Sequence, residues 1–147
     1  MKLLPSILIL TLMLGCQTEK KMKARQKQII ENYVNAYNNF DIERMTNDFD
    51  HNVVFENVSN GQVDLRTEGL SEFKIQAESA KQYFRIRKQT ITNWDFNGSF
   101  ASIEIDYEAI LDTDLPNGMK SGDTLNLKGK STFEFDNDKI VKLTDES

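Results

Sequence analysis

His51 is the only histidine of this 147-residue chain, and it sits in an Asp50-His51-Asn52 segment between a helical pattern and a strand pattern. No multi-histidine metal site or histidine dyad can be assembled from one imidazole. It is either a loop cap or solvated ring, or else an acid-base group. A second constellation, Asp112 and Asp114 followed by Asn117, Gly118 and Asp123, has the residue types of a calcium loop. Its glycine falls one place late, Pro116 stands at a ligand position, and strand patterns rather than helices flank it, so it reads as a solvated strand connection. No metal and no cofactor are expected. The single cysteine, Cys16, closes an apolar N-terminal run, which leaves no disulfide, no cysteine metal site and no cysteine nucleophile for the folded part.

That N-terminal run carries an address. Lys2 supplies a positive start, Leu3 to Leu14 is apolar apart from Ser6 and Thr11, and Gly15 precedes the cysteine. The stretch is too short for a transmembrane helix, which needs roughly 20 apolar residues. Met13-Leu14-Gly15-Cys16 resembles a bacterial lipoprotein signal, which implies cleavage of residues 1–15 and a lipidated Cys16 that partners the membrane; the alternative is an ordinary signal peptide with an accidental cysteine. By the sorting rules of that class, the absence of Asp after Cys16 points to the outer membrane of the cell envelope. Residues 16–25 then form a polar tether and residues 26–147 one domain. The chain has 18 Lys and Arg against 23 Asp and Glu, a net charge of -5, and losing the leader removes only Lys2 from that count. An acidic domain argues against nucleic acid, whose phosphates need clustered cations. The basic stretch Lys20–Lys27 suits a tether near anionic headgroups as well as a helix.

A chain of this size buries about two thirds of its unfolded surface, enough for one core without staples. Ile29, Ile30, Tyr33, Val34, Tyr37 and Phe40 recur at one-, three- and four-residue steps, the stripe of an amphipathic helix. Asp41 reads as the N-cap of a short helix through Ile42, Met45 and Phe49. Strand patterns follow at Val53–Val58 and Val63–Glu68, separated by Ser59-Asn60-Gly61, and Leu70–Gln82 is a third helix. The rest is strand: Tyr83–Phe96, Phe100–Asp112, Thr124–Asp136 and Lys139–Thr144.

Asn97-Gly98 is the strongest local hairpin signal. Pairing centred on it sets Phe84, Ile86, Thr90, Thr92 and Trp94 opposite Leu111, Ala109, Ile105, Ile103 and Ala101, with Lys88 facing Tyr107. Arg87 then meets Glu108, and Gln89 meets Asp106, on the solvent face. On the next strand Leu125, Leu127, Phe133 and Phe135 share the apolar side, with the small Gly129 and Ser131 between them where a bent strand or a cavity needs little bulk.

Helix, short helix, paired strands, helix and long antiparallel meander is the element order of the nuclear transport factor 2-like fold. Residues 32–57, NYVNAYNNFDIERMTNDFDHNVVFEN, resemble the opening of ketosteroid isomerases and SnoaL-like polyketide-cyclase proteins. The resemblance implies an α+β domain, a cone-shaped curved antiparallel sheet of about five or six strands against three helices of the N-terminal half. Aligned without gaps on the isomerase opening, Tyr33 falls at the oxyanion tyrosine, Asn57 at the aspartate base and Ser131 at about the buried second carboxyl, the roles the handful of isomerase residues play. Asn takes no proton, so isomerase chemistry does not carry over. Glu56, one residue earlier, belongs on the opposite strand face unless a bulge turns it inward.

Tyr33, Tyr37, Phe55, Trp94, Tyr107 and Phe133 either line a pocket at the wide end of the cone or are plain core. Asn57, Tyr33 and Ser131 would form a polar cluster inside it, satisfied internally or by a ligand. The leading expectation is an envelope lipoprotein that binds a small, partly apolar molecule or a protein partner without catalysis, with pairing into a homodimer through the open sheet face. The alternative is an isomerase, cyclase or hydratase-type enzyme with Glu56 or His51 as base and Tyr33 as electrophile. A third is a structural subunit with a filled cone.

Overall fold

The computed structural model describes residues 6–147, with side chains from residue 17 onward. Residues 1–5 of the expected leader and the side chain of Cys16 lie outside the described residues. Among the described residues no helix is long and apolar enough to cross a membrane.

The first helix, α1, is Ser6–Asn38, so the polar stretch read as a tether is helical. Its last turns are also part of the domain. Gln26 Nε2 donates to the carbonyl of Gly98 at 2.9 Å, and Arg25 pairs with Asp48 at 3.3 Å. Of the expected stripe Ile29, Ile30, Tyr33 and Val34 are buried, joined by Ala36, while Tyr37 and Phe40 are half-buried. Asp41 caps α2, Ile42–Met45, by accepting from the Arg44 N–H at 3.0 Å. This helix is shorter than its pattern, because Thr46 turns its hydroxyl back to the Ile42 carbonyl at 2.9 Å and Phe49 already begins a strand.

Strands β1, Phe49–Ser59, and β2, Gln62–Glu68, are joined through Asn60 and Gly61, both at positive φ, as a tight hairpin turn requires. Helix α3, Leu70–Lys81, follows, then β3, Phe84–Asn97, β4, Phe100–Leu111, β5, Thr124–Asp136, and β6, Lys139–Glu146. The six strands make one sheet in the order β2-β1-β6-β5-β4-β3. All neighbours are antiparallel except β1 and β6, which run parallel. This α+β architecture is the expected one, with a single parallel seam added where the last strand returns beside the first.

The β3–β4 register departs from the sequence expectation. Asn97 pairs with Phe100, so the turn residues are Gly98 and Ser99 rather than Asn97 and Gly98. Two irregularities, at Phe84/Ile86 and Ile91/Asn93, then absorb one residue each. Between them the pairs are Arg87 with Ala109, Lys88 with Glu108 and Gln89 with Tyr107. A one-residue slip on a strand exchanges its faces. Arg87 and Gln89 are accordingly buried, while Ile86, Thr90 and Lys88 are outside.

One core joins α1, α2 and α3 to the inner face of the sheet. Phe49 lies between Tyr33 and Phe73, with ring centroids 5.8 and 5.0 Å apart, and Phe133 meets Tyr33 edge-on at 5.5 Å. Each fully buried aliphatic or aromatic side chain contributes about 1.5–3 kcal/mol relative to exposure, and Ile30, Val53, Phe133, Ile140 and Leu143 reach that limit.

Candidate functional site

The inner face stops being filled where β5 changes from bulky to small residues. Phe133 and Phe135 are buried under α1, but Ser131 and Gly129 precede them on the same face. A Cβ at Gly129 would meet the Glu146 carbonyl at 3.1 Å, so the strand at this point admits little beyond glycine. The result is a cavity of about 330 Å³ between the sheet, α1 and α3, within the size range of small-molecule sites.

Its walls are apolar: Phe55, Phe73, Phe84, Ile105 and Leu125. Its floor is polar. Asn57, Asp145 and Ser131 stand side by side across β1, β6 and β5, and the Ser131 hydroxyl donates to Asp145 Oδ1 at 2.6 Å. Asp145 keeps a little exposure as a residue, yet protein surrounds its carboxyl. Desolvation pushes its pKa up to about 6, the Ser131 hydrogen bond opposing the rise. That is the sign expected when burial, and not a neighbouring cation, dominates.

Tyr33, Tyr37 and Tyr107 reach the cavity from α1 and β4. Burial holds the Tyr33 hydroxyl well above its ordinary pKa, with the Asp145 charge adding to it. Tyr37 and Tyr107 are raised for the same first reason, and their hydroxyls lie 3.5 Å apart. All three therefore stay protonated and available as donors. Beside Tyr37, Arg87 forms part of the wall. Its Nε donates to the Tyr37 carbonyl at 2.9 Å, and its guanidinium lies 3.8 Å from the Tyr37 ring and 4.4 Å from that of Phe40. Phe40 takes φ 57° to sit there. Asn38, at the end of α1, locks β3 into this register by donating to the Gln89 carbonyl at 3.0 Å and accepting from the Gln89 N–H at 2.7 Å.

Six of the residues singled out from sequence meet here: Tyr33, Tyr37, Phe55, Asn57, Tyr107 and Ser131. Four do not. Phe133 is sealed in the core. Trp94 is stacked on Phe96 at 5.6 Å, with Lys27 over its ring, away from the cavity. His51 is exposed at the start of β1. Glu56 faces out, ion-paired to Arg66 and to Lys142, whose hydrogen bond is the main cause of its lowered pKa. β1 has two irregularities, one against β6 between Phe49 and Val54 and one against β2 at Asn57/Val58, and neither turns Glu56 inward.

Asp145, Arg87 and Gln89 of the site escape the sequence reading. The sequence pattern ends the last strand at Thr144, whereas β6 runs to Glu146 and Leu143 and Asp145 continue one period-two face. A register without bulges sets Arg87 and Gln89 outside, whereas the two irregularities of β3 turn them inward. Among the described residues no group of three or more His, Cys, Asp or Glu is gathered for a metal ion. In the loop after β4, Asp114 accepts from the Ser121 N–H at 3.0 Å and pairs with Lys120 at 2.9 Å, a turn role.

A family model described as a SnoaL-like domain matches residues 30–143. Among solved structures the chain is similar to a candidate polyketide cyclase from Xanthomonas campestris pv. campestris, at 18% identity and TM-score 0.74, covering 84% of this chain and 90% of that one. It is similar to a candidate SnoaL-like polyketide cyclase from Jannaschia sp. CCS1, at 9% identity and TM-score 0.71, covering 83% and 84%. It is also similar to an LEH-like epoxide hydrolase from M. tuberculosis, at 17% identity and TM-score 0.67, covering 84% and 82%. At these identities the likeness shows the fold. No curated protein matches the sequence.

Proposed function

The chain belongs to the SnoaL-like domain family, and from that premise we propose that its domain is a receptor for a small, partly apolar molecule held inside the cone. One observation supports this reading above all: a cavity of about 330 Å³ with apolar walls ends on the Asn57-Asp145-Ser131 row, a pattern of bulk burial with a few orienting polar groups. Native mass spectrometry of the full chain purified from its own cells tests it. A small-molecule adduct lost on denaturation is the expected result; a clean apo mass overturns the reading and favours a role in protein contacts.

A second reading, turnover, is favoured by Asp145. A carboxyl with a pKa of about 6 inside an apolar cavity is suited to accept a proton from a carbon beside a carbonyl, or from a water, near neutral pH. Tyr33 is then a donor to the oxygen on which charge develops. Its fold neighbours include proteins described as small-molecule enzymes, a cyclase and an epoxide hydrolase. The base in this reading is Asp145, in place of Glu56 or His51. Asp145→Asn should lower turnover by roughly 10²-fold or more while ligand is still bound, and Glu56→Gln should leave it unchanged. Activity that rises with pH through about 6 belongs to Asp145, because its carboxylate form is the base.

We also propose envelope anchoring through lipidated Cys16, on the strength of the Met13–Cys16 sequence pattern alone. Cys16→Ala should move the protein from the membrane fraction to the soluble fraction; an unchanged distribution rejects the anchor.

A further inference from the structure

Arg87 is 4% exposed, and among the described residues no carboxylate pairs with it. A guanidinium stays charged at any pH the protein meets, and taking an ion out of water costs several kcal/mol unless a counter-charge or full hydrogen bonding replaces the lost hydration. Here the replacement is incomplete. Nε has the Tyr37 carbonyl and the group packs on the Tyr37 and Phe40 rings, but Nη2 is buried without a hydrogen-bond partner. Gln89, two residues along the same inner face, also has a buried amide oxygen without one.

Asp145 does not supply the missing charge. Its Oδ1 is bonded to Ser131, and a carboxylate in contact with a guanidinium has its pKa lowered, whereas that of Asp145 is raised. Arg87 and Asp145 therefore line one cavity as two separate poles, a fixed cation at the α1–β3 side and a carboxyl at the β5–β6 floor. Leaving the Arg87 cation unpaired among Tyr37, Phe84 and Tyr107, in a cavity whose lining also includes Lys128, Lys130 and Glu146, is explained if the counter-ion arrives with the ligand.

We infer that the ligand is an aromatic or polycyclic carboxylic acid, or a molecule with an equivalent anionic oxygen pair, whose anion sits against the Arg87 guanidinium. This deepens the receptor reading and rests on it. A carboxylate matches the planar fork of an arginine, the aromatic shell around Arg87 accepts a flat apolar body, and the negative charge is kept away from the Asp145 end.

The test is a pair of near-isosteric probes, 2-naphthoate and 2-naphthamide, titrated into the full chain by calorimetry. The wild type should bind naphthoate roughly tenfold or more tightly than naphthamide, the range of a charge-assisted hydrogen-bonded pair. Arg87→Gln should erase that preference, the larger loss falling on naphthoate. Arg87→Lys, which keeps the charge without the fork, should fall between. Asp145→Asn should strengthen naphthoate alone, by removing a like charge; a structural role for either residue would move both probes together. Equal or better binding of naphthamide to the wild type, a comparison that needs no variant to fold, overturns the inference and leaves the receptor reading standing. Failure of both probes to bind at millimolar concentration overturns the receptor reading and the inference with it.

Discussion

The two ends of β5 face the same helices and do opposite things. At one end Phe133 and Phe135 are driven into the core against Tyr33, Ile103 and Leu143; at the other, Gly129 and Ser131 leave the space that Arg87, Tyr107 and Asp145 surround. The strand geometry is continuous between them. The difference is side-chain volume at alternate positions, which turns a filled cone into an open one without a change of fold. The polar groups follow the same division, gathering where packing no longer excludes water or ligand.

The contrast predicts mutational effects of decreasing size. Phe133→Ala at the filled end should cost about 3–5 kcal/mol, from lost burial plus a void that the neighbouring sheet and helix cannot close, read as a lowered midpoint in urea with an unchanged slope. A cost below about 1 kcal/mol would mean that end is loosely packed and the contrast false.

Asp145→Asn at the open end should have the opposite sign near neutral pH. The folded carboxyl has a pKa of about 6 against an ordinary 3.8, so in that window the native state holds more protons than the unfolded chain and stability falls as pH rises. The penalty is absent below about pH 4 and complete above about pH 6, of the order of 2–3 kcal/mol. The variant should therefore melt above the wild type at pH 8, the gap closing toward pH 4. A gap that is flat with pH would show that Asp145 is not a desolvated carboxyl in the native state.

Gly129→Ala sets a methyl group 3.1 Å from the Glu146 carbonyl. It should cost about 1–2 kcal/mol through overpacking and reduce adduct retention in native mass spectrometry, sharpening the link between small residues and the cavity. Glu56→Gln, on the outer face, is the smallest perturbation. Its pairs with Arg66 and Lys142 are surface ion pairs, so Tm should move by no more than about two degrees and probe binding should not change. A loss of binding would show that the two faces of β1 are coupled.

Most elements were legible because their signals are local. The α1 stripe at Ile29, Ile30, Tyr33 and Val34, the Asp41 cap, the Asn60-Gly61 turn and the alternation of Ile103, Ile105 and Tyr107 along β4 each need only a few neighbouring residues to be read. The inward placement of Asn57, Tyr33 and Ser131 followed from the same periodicities joined to a family resemblance. What failed were the places where one residue decides a face. The bulges in β3 are held by Asn38, which bonds across 51 residues of sequence to Gln89, and no short-range pattern encodes that bond.

By itself, then, the sequence determined the order of helices and strands, the apolar stripe of each and the small-residue gap on β5, because propensity and amphipathic spacing act within a turn or a strand. Only the tertiary structure decided that β6 returns parallel to β1, setting Asp145 between Asn57 and Ser131, and that β3 turns Arg87 inward. Both depend on pairing between distant segments. A register shift of one residue costs the backbone few hydrogen bonds and yet exchanges the faces of every side chain on the strand.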